Sequence, residues 1–116
     1  MINSIYMPYF KDLSNNSYKI HSTYTTKGTV KTWMSELADK VDKLKVKHTK
    51  WYRVILTGYF SDNRHPDIHN LHKVIGDSLK EVLPEDDKHY IFKDNKPVLG
   101  VIDQYIVIEI EPLEEV

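Results

Sequence analysis

Cysteine is absent from the 116-residue chain, which excludes disulfides, thiolate metal sites and cysteine nucleophiles together. Glycine is scarce as well, and no glycine-rich phosphate-binding loop is present. No apolar run is long enough to span a bilayer, and the N-terminus lacks the basic and apolar regions of a signal peptide. These absences favour a soluble, cytoplasmic protein.

Neither sign of charge dominates, because 16 Lys and Arg residues face 17 Asp and Glu residues. This balance argues against a surface that binds DNA everywhere, but it is compatible with a local basic patch. The best candidate patch comprises Lys40, Lys43, Lys45, Lys47, His48, Lys50 and Arg53, with Lys27, Lys31 and Arg64 as possible additions. Such a run is more often a solvated helix end than a binding surface.

Apolar periodicity predicts two helices on a mixed sheet. The first stripe repeats at intervals of three and four residues from Val30 to Leu44, and the second runs from Ile68 to Val82, where Pro84 ends the helix. A long strand is predicted over 51–60, with shorter ones near 5–9, 89–92, 98–102 and 104–110. The order predicts a two-layer α/β (α+β) fold in a single domain over 1–111, followed by an acidic tail at 112–116.

The segment 66–73, Pro-Asp-Ile-His-Asn-Leu-His-Lys, carries the most specific chemistry. Asp67 and His69 are metal-ligand types two residues apart, and Lys73 follows four residues later. A phosphodiester nuclease uses a divalent cation to activate water, and a nearby lysine can stabilise the phosphate charge. Taken singly, Asp67 is equally compatible with a helix N-cap and with a metal ligand. A single histidine at position 69 is more often an exposed surface residue than a ligand.

Helical geometry restricts how Asp67 and His69 can act together, because residues two apart on a helix point in nearly opposite directions. Both can face one ion only if Asp67 is still extended, which predicts a helix start at Asp67 or Ile68. Lys73 and Asp77 share a helical face with His69. They form either a surface ion pair or a lysine held beside the metal.

Three features together resemble the RusA-type Holliday junction resolvases. They are the pattern Asp-x-(Asp/His)-Asn-Leu-x-Lys at 67–73, the later pair Asp86 and Asp87, and Pro8 followed by Ser-Asn-Asn-Ser-Tyr at 14–18. The similarity extends from about residue 6 to 110. It implies catalytic positions for Asp67, Lys73 and Asp87, while His69 stands where many members carry a second catalytic aspartate.

The resemblance implies a metal-dependent endodeoxyribonuclease that acts as a homodimer on branched DNA, cutting two opposed strands of a four-way junction in phage or prophage recombination and DNA processing. One Mg²⁺ or Mn²⁺ is expected between Asp67, His69 and Asp87, with Lys73 stabilising phosphate charge. Supporting roles fall to Asn70, Asp77 and Asp86, and the choice between Asp86 and Asp87 as ligand stays open. Two alternatives remain: a junction-binding protein disabled by His69, and a small structural or assembly protein.

The reach of the chain limits where Asp87 can act. A continuous helix from Asp67 to Leu83 would be roughly 25 Å long, and the four residues from Pro84 to Asp87 span at most about 14 Å. Asp87 could then not return to Asp67 of its own chain. Either the helix ends early, or a two-fold related subunit supplies the third acid.

Overall fold

The computed structural model describes residues 3–14, 19–20, 25–26, 28–65, 67–84 and 87–114, with the backbone alone for 19–20, 25–26 and 87. The strands are β1 (Asn3–Pro8), β2 (Lys19–Ile20), β3 (Thr25–Thr26), β4 (Trp51–Phe60), β5 (Tyr90–Asp94), β6 (Val98–Leu99) and β7 (Tyr105–Leu113). The helices are α1 (Gly28–Leu44) and α2 (His72–Leu79), and short 3₁₀ turns cover Lys11–Leu13, Ile68–Leu71 and Asp87–His89. No helix among the described residues is long and apolar enough to cross a membrane.

The main sheet has the strand order β1-β7-β4-β5, with β6 also pairing with β4. Its β1–β7 and β7–β4 pairs are antiparallel, whereas β5 and β6 run parallel to β4. Within the described residues β1 lies at an edge of this sheet, a position that tolerates Pro8. The sheet and the two helices confirm the predicted two-layer mixed α/β fold.

One hydrophobic core joins the helices to the sheet. Alternate residues of β4, from Tyr52 to Phe60, are buried, and so are the periodic apolar residues of α1 and α2. Two hydrogen bonds fix the packing: Trp33 Nε1 donates to the carbonyl of Pro8 at 2.7 Å, and Ser78 Oγ donates to the carbonyl of Met34 at 2.6 Å. The second satisfies a fully buried hydroxyl inside the helix pair.

Beyond shifts of one or two residues at the ends of β1 and β5, the structure differs from the sequence-based boundaries at three elements. β7 continues to Leu113, beyond the predicted end at Ile110, because its ladder with β4 extends to Trp51. β6 ends at Leu99 rather than at residue 102. Regular helix in α2 begins only after a 3₁₀ turn and ends at Leu79, although hydrogen-bonded turns continue to Leu83. The Ser-Asn-Asn-Ser-Tyr segment at 14–18 lies mostly outside the described residues.

The β4–α2–β5 unit positions the candidate site. β4 and β5 are parallel, with Tyr52 opposite Tyr90 and Leu56 opposite Asp94. The chain that leaves β4 and the residues that end β5 therefore meet at the same edge of the sheet. In open α/β sheets this edge, at the carboxyl ends of the strands, is the usual place for ligands.

Candidate active site

Asp67 begins the crossover helix as its N-cap. Its backbone is extended, with φ −67° and ψ 124°, and its Oδ1 accepts a hydrogen bond from the backbone N–H of His69 at 3.1 Å. The extended conformation predicted for Asp67 is confirmed. Of the two predicted helix starts, Asp67 and Ile68, the structure begins a 3₁₀ turn at Ile68 and the α-helix only at His72. A carboxylate offers about four acceptor positions, so capping leaves most of the exposed group available to a ligand.

His69, His72 and Asp94 form a compact cluster at the same edge of the sheet. Their ligand atoms all lie within 4.8 Å of one another. The imidazole Nε2 of His72 lies 2.7 and 2.9 Å from the two carboxylate oxygens of Asp94, and its ring centroid is 4.5 Å from that of His69. This is the one such group of metal-ligating side chains that the described part of the chain contains.

The His72–Asp94 half of the cluster is held in place by its neighbours. The ring of His72 stacks on Phe92 at a centroid distance of 4.2 Å and an interplanar angle of 13°. Directly after Asp94, Asn95 donates its backbone N–H to Leu56 O and its amide to Thr57 Oγ1, both at 2.9 Å. These contacts anchor the end of β5 to β4, and with it the carboxylate.

Lys73 lies on α2 and pairs with Asp77, a contact that both of its predicted roles include and that therefore does not distinguish them. The Nζ–Oδ1 distance is 3.6 Å, and Lys80 approaches the same oxygen at 3.4 Å. Asp77 is mostly covered, whereas Lys73 is about half exposed. A pair at 3.6 Å with a half-exposed lysine is weak, so the ammonium group of Lys73 can exchange Asp77 for another anion.

Asp87 lies at the other end of β5. It begins the 3₁₀ turn that leads into Tyr90, which is opposite the start of β4. The four strand steps from Tyr90 to Asp94 alone cover about 13 Å. The fold therefore separates the backbone of Asp87 from His69 and Asp94 within one chain, while Asp86 lies outside the described residues.

A cavity of about 450 Å³ opens beside Asp67. Its lining is mainly apolar, including Phe60 and Ile68, with Asp67 and Asn95 as polar contributors. The Phe60 ring stacks on His65 at a centroid distance of 5.0 Å. The aromatic pair thus forms the wall of the cavity next to the helix cap.

The predicted basic patch is largely occupied by internal contacts. Lys43 pairs with Asp39 at 3.0 Å, Lys47 with Glu114, and Arg53 with Glu111. Lys40 donates to the carbonyl of Tyr6 at 3.0 Å, and Lys45 and Lys50 are exposed. Most of these residues lie at the end of α1 and the start of β4, on the Asp87 side of the sheet.

Arg64 lies apart from that patch, in the chain that leads from β4 to Asp67. Its guanidinium pairs with Asp62 at 2.8 Å. The hydrogen bond from Arg64 is the main reason that the pKa of Asp62 lies below its usual value. Arg64 is almost fully exposed, so its pair with Asp62 adds little to stability and the guanidinium can exchange this partner for another anion.

Two members of the cluster were missed by sequence reasoning. They are His72 and Asp94, neither of which is among the site residues predicted above. The spacing of His69 and His72, three residues apart, does predict a shared helical face. Asp94 lies 22 residues further along the chain, and only the parallel register of β5 brings it to His72.

The donors at this edge fit a divalent cation. Carboxylates suit magnesium and manganese, and imidazole suits manganese and the later transition metals. Carboxylate and imidazole donors both occur at the start of the helix or beside it, on Asp67, His69, His72 and Asp94. The chemistry of the residues present is therefore compatible with the metal that a phosphodiester nuclease requires.

The fold and this site together describe a small α/β domain with histidine and carboxylate side chains of metal-ligand type at the carboxyl ends of parallel strands. A comparison with protein families matches residues 7–111 to the model for endodeoxyribonuclease RusA, and the chain belongs to that family. Membership implies Holliday junction resolvase activity, a hydrolytic cleavage of branched DNA. A comparison with curated proteins finds no match.

Proposed function

We propose that the protein is a divalent-metal-dependent, structure-specific endodeoxyribonuclease that resolves four-way DNA junctions as a homodimer. The observation that supports this most strongly is Asp67, in an extended cap conformation at the carboxyl edge of the sheet, within a family match that covers most of the chain. Phage or prophage recombination and DNA processing, in the cytoplasm, is the setting that we propose for it.

In this proposal Asp67, His69 and Asp87 hold one Mg²⁺ or Mn²⁺ ion. When bound, the ion supplies Lewis-acid stabilisation of the phosphate and a water that loses its proton more readily. Lys73 places its ammonium group beside the charge that develops on the phosphate. Asp77 orients Lys73, and Asn70 and Asp86 support the ligands.

The separation of Asp87 from the helix start favours a site shared between two subunits. An isologous dimer pairs the same surface of both chains, so the Asp87 end of one can meet the Asp67 end of the other. Two such composite sites arise from one two-fold axis. This arrangement suits an enzyme that cuts two symmetry-related strands.

DNA contacts in this proposal come from the predicted basic residues, most of which have exposed side chains: Lys40, Lys43, Lys45, Lys47, Lys50, Arg53 and Arg64. The net charge of −1 makes a uniform basic coat impossible. The pairs that hold Lys43, Lys47 and Arg53 must open or rearrange if these residues are to bind phosphate. Backbone charge and junction shape, rather than base sequence, then determine binding.

The direct test incubates the protein with a synthetic four-way junction and with linear duplex of the same sequence, in Mg²⁺ or Mn²⁺. We expect metal-dependent cuts in the junction and none in the duplex. Asp67→Asn should abolish cleavage and leave junction binding intact, because it removes a ligand and also a charge that repels phosphate. Asp103→Asn, at an exposed position outside the site, is the matched control.

Each failure has a distinct meaning. Tight junction binding without cleavage in either metal would indicate a junction-binding protein of the same fold, in which His69 has disabled the metal site. Equal cleavage by wild type and Asp67→Asn would remove Asp67 from the site. Equal cutting of junction and duplex would contradict the specificity for branched DNA.

A further inference from the structure

We infer that His69, His72 and Asp94 form a binding site for a divalent transition-metal ion of the Mn²⁺, Co²⁺, Ni²⁺ or Zn²⁺ class, which Mg²⁺ does not replace. The inference deepens the proposed function, because His69 is common to both and the ion would lie at the same edge of the sheet. Its evidence is independent of the family pattern: the pair His72–Asp94 is a feature of this structure.

The distances suit one ion between three donors. An ion about 2.1 Å from each donor separates neighbouring donors by about 3.0–3.4 Å at octahedral to tetrahedral angles. His72 Nε2 and the Asp94 oxygens, at 2.7–2.9 Å, need to open only slightly, since the proton now between them leaves when metal binds. All ligand atoms lie within 4.8 Å, so a rotation of the exposed His69 side chain completes the set.

The site is built rather than accidental. Stacking on Phe92 restricts the His72 ring, and only 20% of the His72 side chain and 25% of the Asp94 side chain remain exposed. Asp94 ends a strand whose backbone is fixed to β4 through Asn95. Preorganised ligands lose little conformational freedom on binding metal, in contrast to histidines scattered over a surface.

The choice of donors decides which ion binds. Magnesium prefers oxygen ligands, keeps several waters and forms few bonds to imidazole, whereas a set of two imidazoles and one carboxylate favours manganese and the later transition metals. Three protein ligands also leave coordination positions open, as catalytic metal sites do and closed structural sites do not. The expected occupant is therefore a transition ion with room for water or a phosphate oxygen.

The test measures metal binding to the full-length, tag-free protein without DNA. Co²⁺ is titrated while its visible absorption is followed, and Zn²⁺, Mn²⁺ and Mg²⁺ are then added as competitors. We expect one Co²⁺ per chain, displaced by Zn²⁺ but not by Mg²⁺ in excess. His69→Ala, His72→Ala and Asp94→Asn should each weaken binding by at least about tenfold.

Two variants keep the test decisive. Asp94→Asn keeps the size of the side chain at an exposed position and removes a donor that only this cluster uses, so loss of binding there is due neither to unfolding nor to an ion held by Asp67 and Asp87. His48→Ala removes an exposed histidine outside the cluster and should bind Co²⁺ as wild type does. Unchanged binding in Asp94→Asn, equal loss in His48→Ala, or displacement of Co²⁺ by Mg²⁺ would overturn the site.

The outcomes for the metal site and for the nuclease are distinguishable. A protein that binds Co²⁺ as described but cuts no junction in any metal would contradict the proposed function and leave this site standing. A protein that cuts junctions in Mg²⁺ and binds no Co²⁺ would contradict this metal site and support the proposed function.

Discussion

Replacing Gly58 by alanine should destabilise the protein and disturb the cavity wall beside Asp67. Gly58 and Phe60 lie two residues apart on the buried face of β4, so their side chains point the same way. A Cβ at position 58 would lie 2.2 and 2.6 Å from the Cε2 and Cζ atoms of Phe60, and 3.0 Å from Cδ1 of Ile68. The Phe60 ring is fully buried between Tyr9 and His65, so it has little room to yield.

The expected size of the effect follows from two opposing terms. Overpacking a core by one methyl group costs typically about 1–3 kcal/mol. The alanine also restricts the unfolded chain, which offsets about 0.4–1 kcal/mol of that cost. The net loss should be about 1–2 kcal/mol, and a chain of this size loses roughly 4 °C in Tm for each kcal/mol.

Thermal unfolding of Gly58→Ala, Gly28→Ala and the wild type isolates the clash. Nothing lies within 4 Å of a Cβ built at Gly28, so Gly28→Ala introduces no clash and only reduces the conformational entropy of the unfolded chain. We expect Gly58→Ala to melt about 4–8 °C below wild type and Gly28→Ala to melt at or slightly above it. Equal melting temperatures for the two variants would refute the packing argument.

Three further predictions concern the site and its charges. His69→Asp should raise the cleavage rate in Mg²⁺ relative to Mn²⁺, because a carboxylate replaces an imidazole; an unchanged rate ratio would exclude His69 as a ligand. Lys45→Ala should reduce the slope of junction affinity against salt concentration by about one, and an unaltered slope would remove it from the DNA contacts. Arg64→Gln should return the pKa of Asp62 toward its usual value, measured by NMR titration. The Asp62–Arg64 pair stabilises the fold at pH values above the usual carboxyl pKa, and this stabilisation is lost as the pH falls through the lowered pKa of Asp62. A titration curve of Asp62 that Arg64→Gln leaves unaltered would show that Arg64 does not lower this pKa.

The elements that sequence predicts well are those fixed by local periodicity. The apolar stripe of α1 and the alternation along β4 lead directly to the observed helix and strand, because each pattern buries one face. The extended Asp67 followed by a helical turn was also predictable, since only that conformation lets a residue at 67 share a side with His69. Helix caps and burial faces are local properties.

Partners across the sheet could not be read from the sequence. The pair of His72 and Asp94 depends on the register of β5 against β4, which the sequence leaves open, and both residues have ordinary local explanations. The ion pairs of Lys47 and Arg53 were equally hidden, because their acidic partners come from the residue after β7 and from β7 itself. The Lys43–Asp39 pair, by contrast, is a local contact four residues apart on α1. The extension of β7 to Leu113 depends likewise on a non-local ladder.

The measurement that tests the shared site most directly mixes two inactive variants, Asp67→Asn and Asp87→Asn, and allows subunits to exchange before a four-way junction is added. If Asp67 of one subunit acts with Asp87 of the partner subunit, each mixed dimer holds one intact site and should nick one strand. The control mixes wild type with the double variant Asp67→Asn/Asp87→Asn, whose mixed dimer then has no intact site. Nicking by this control beyond its wild-type share, with none from the two single variants, would contradict the account.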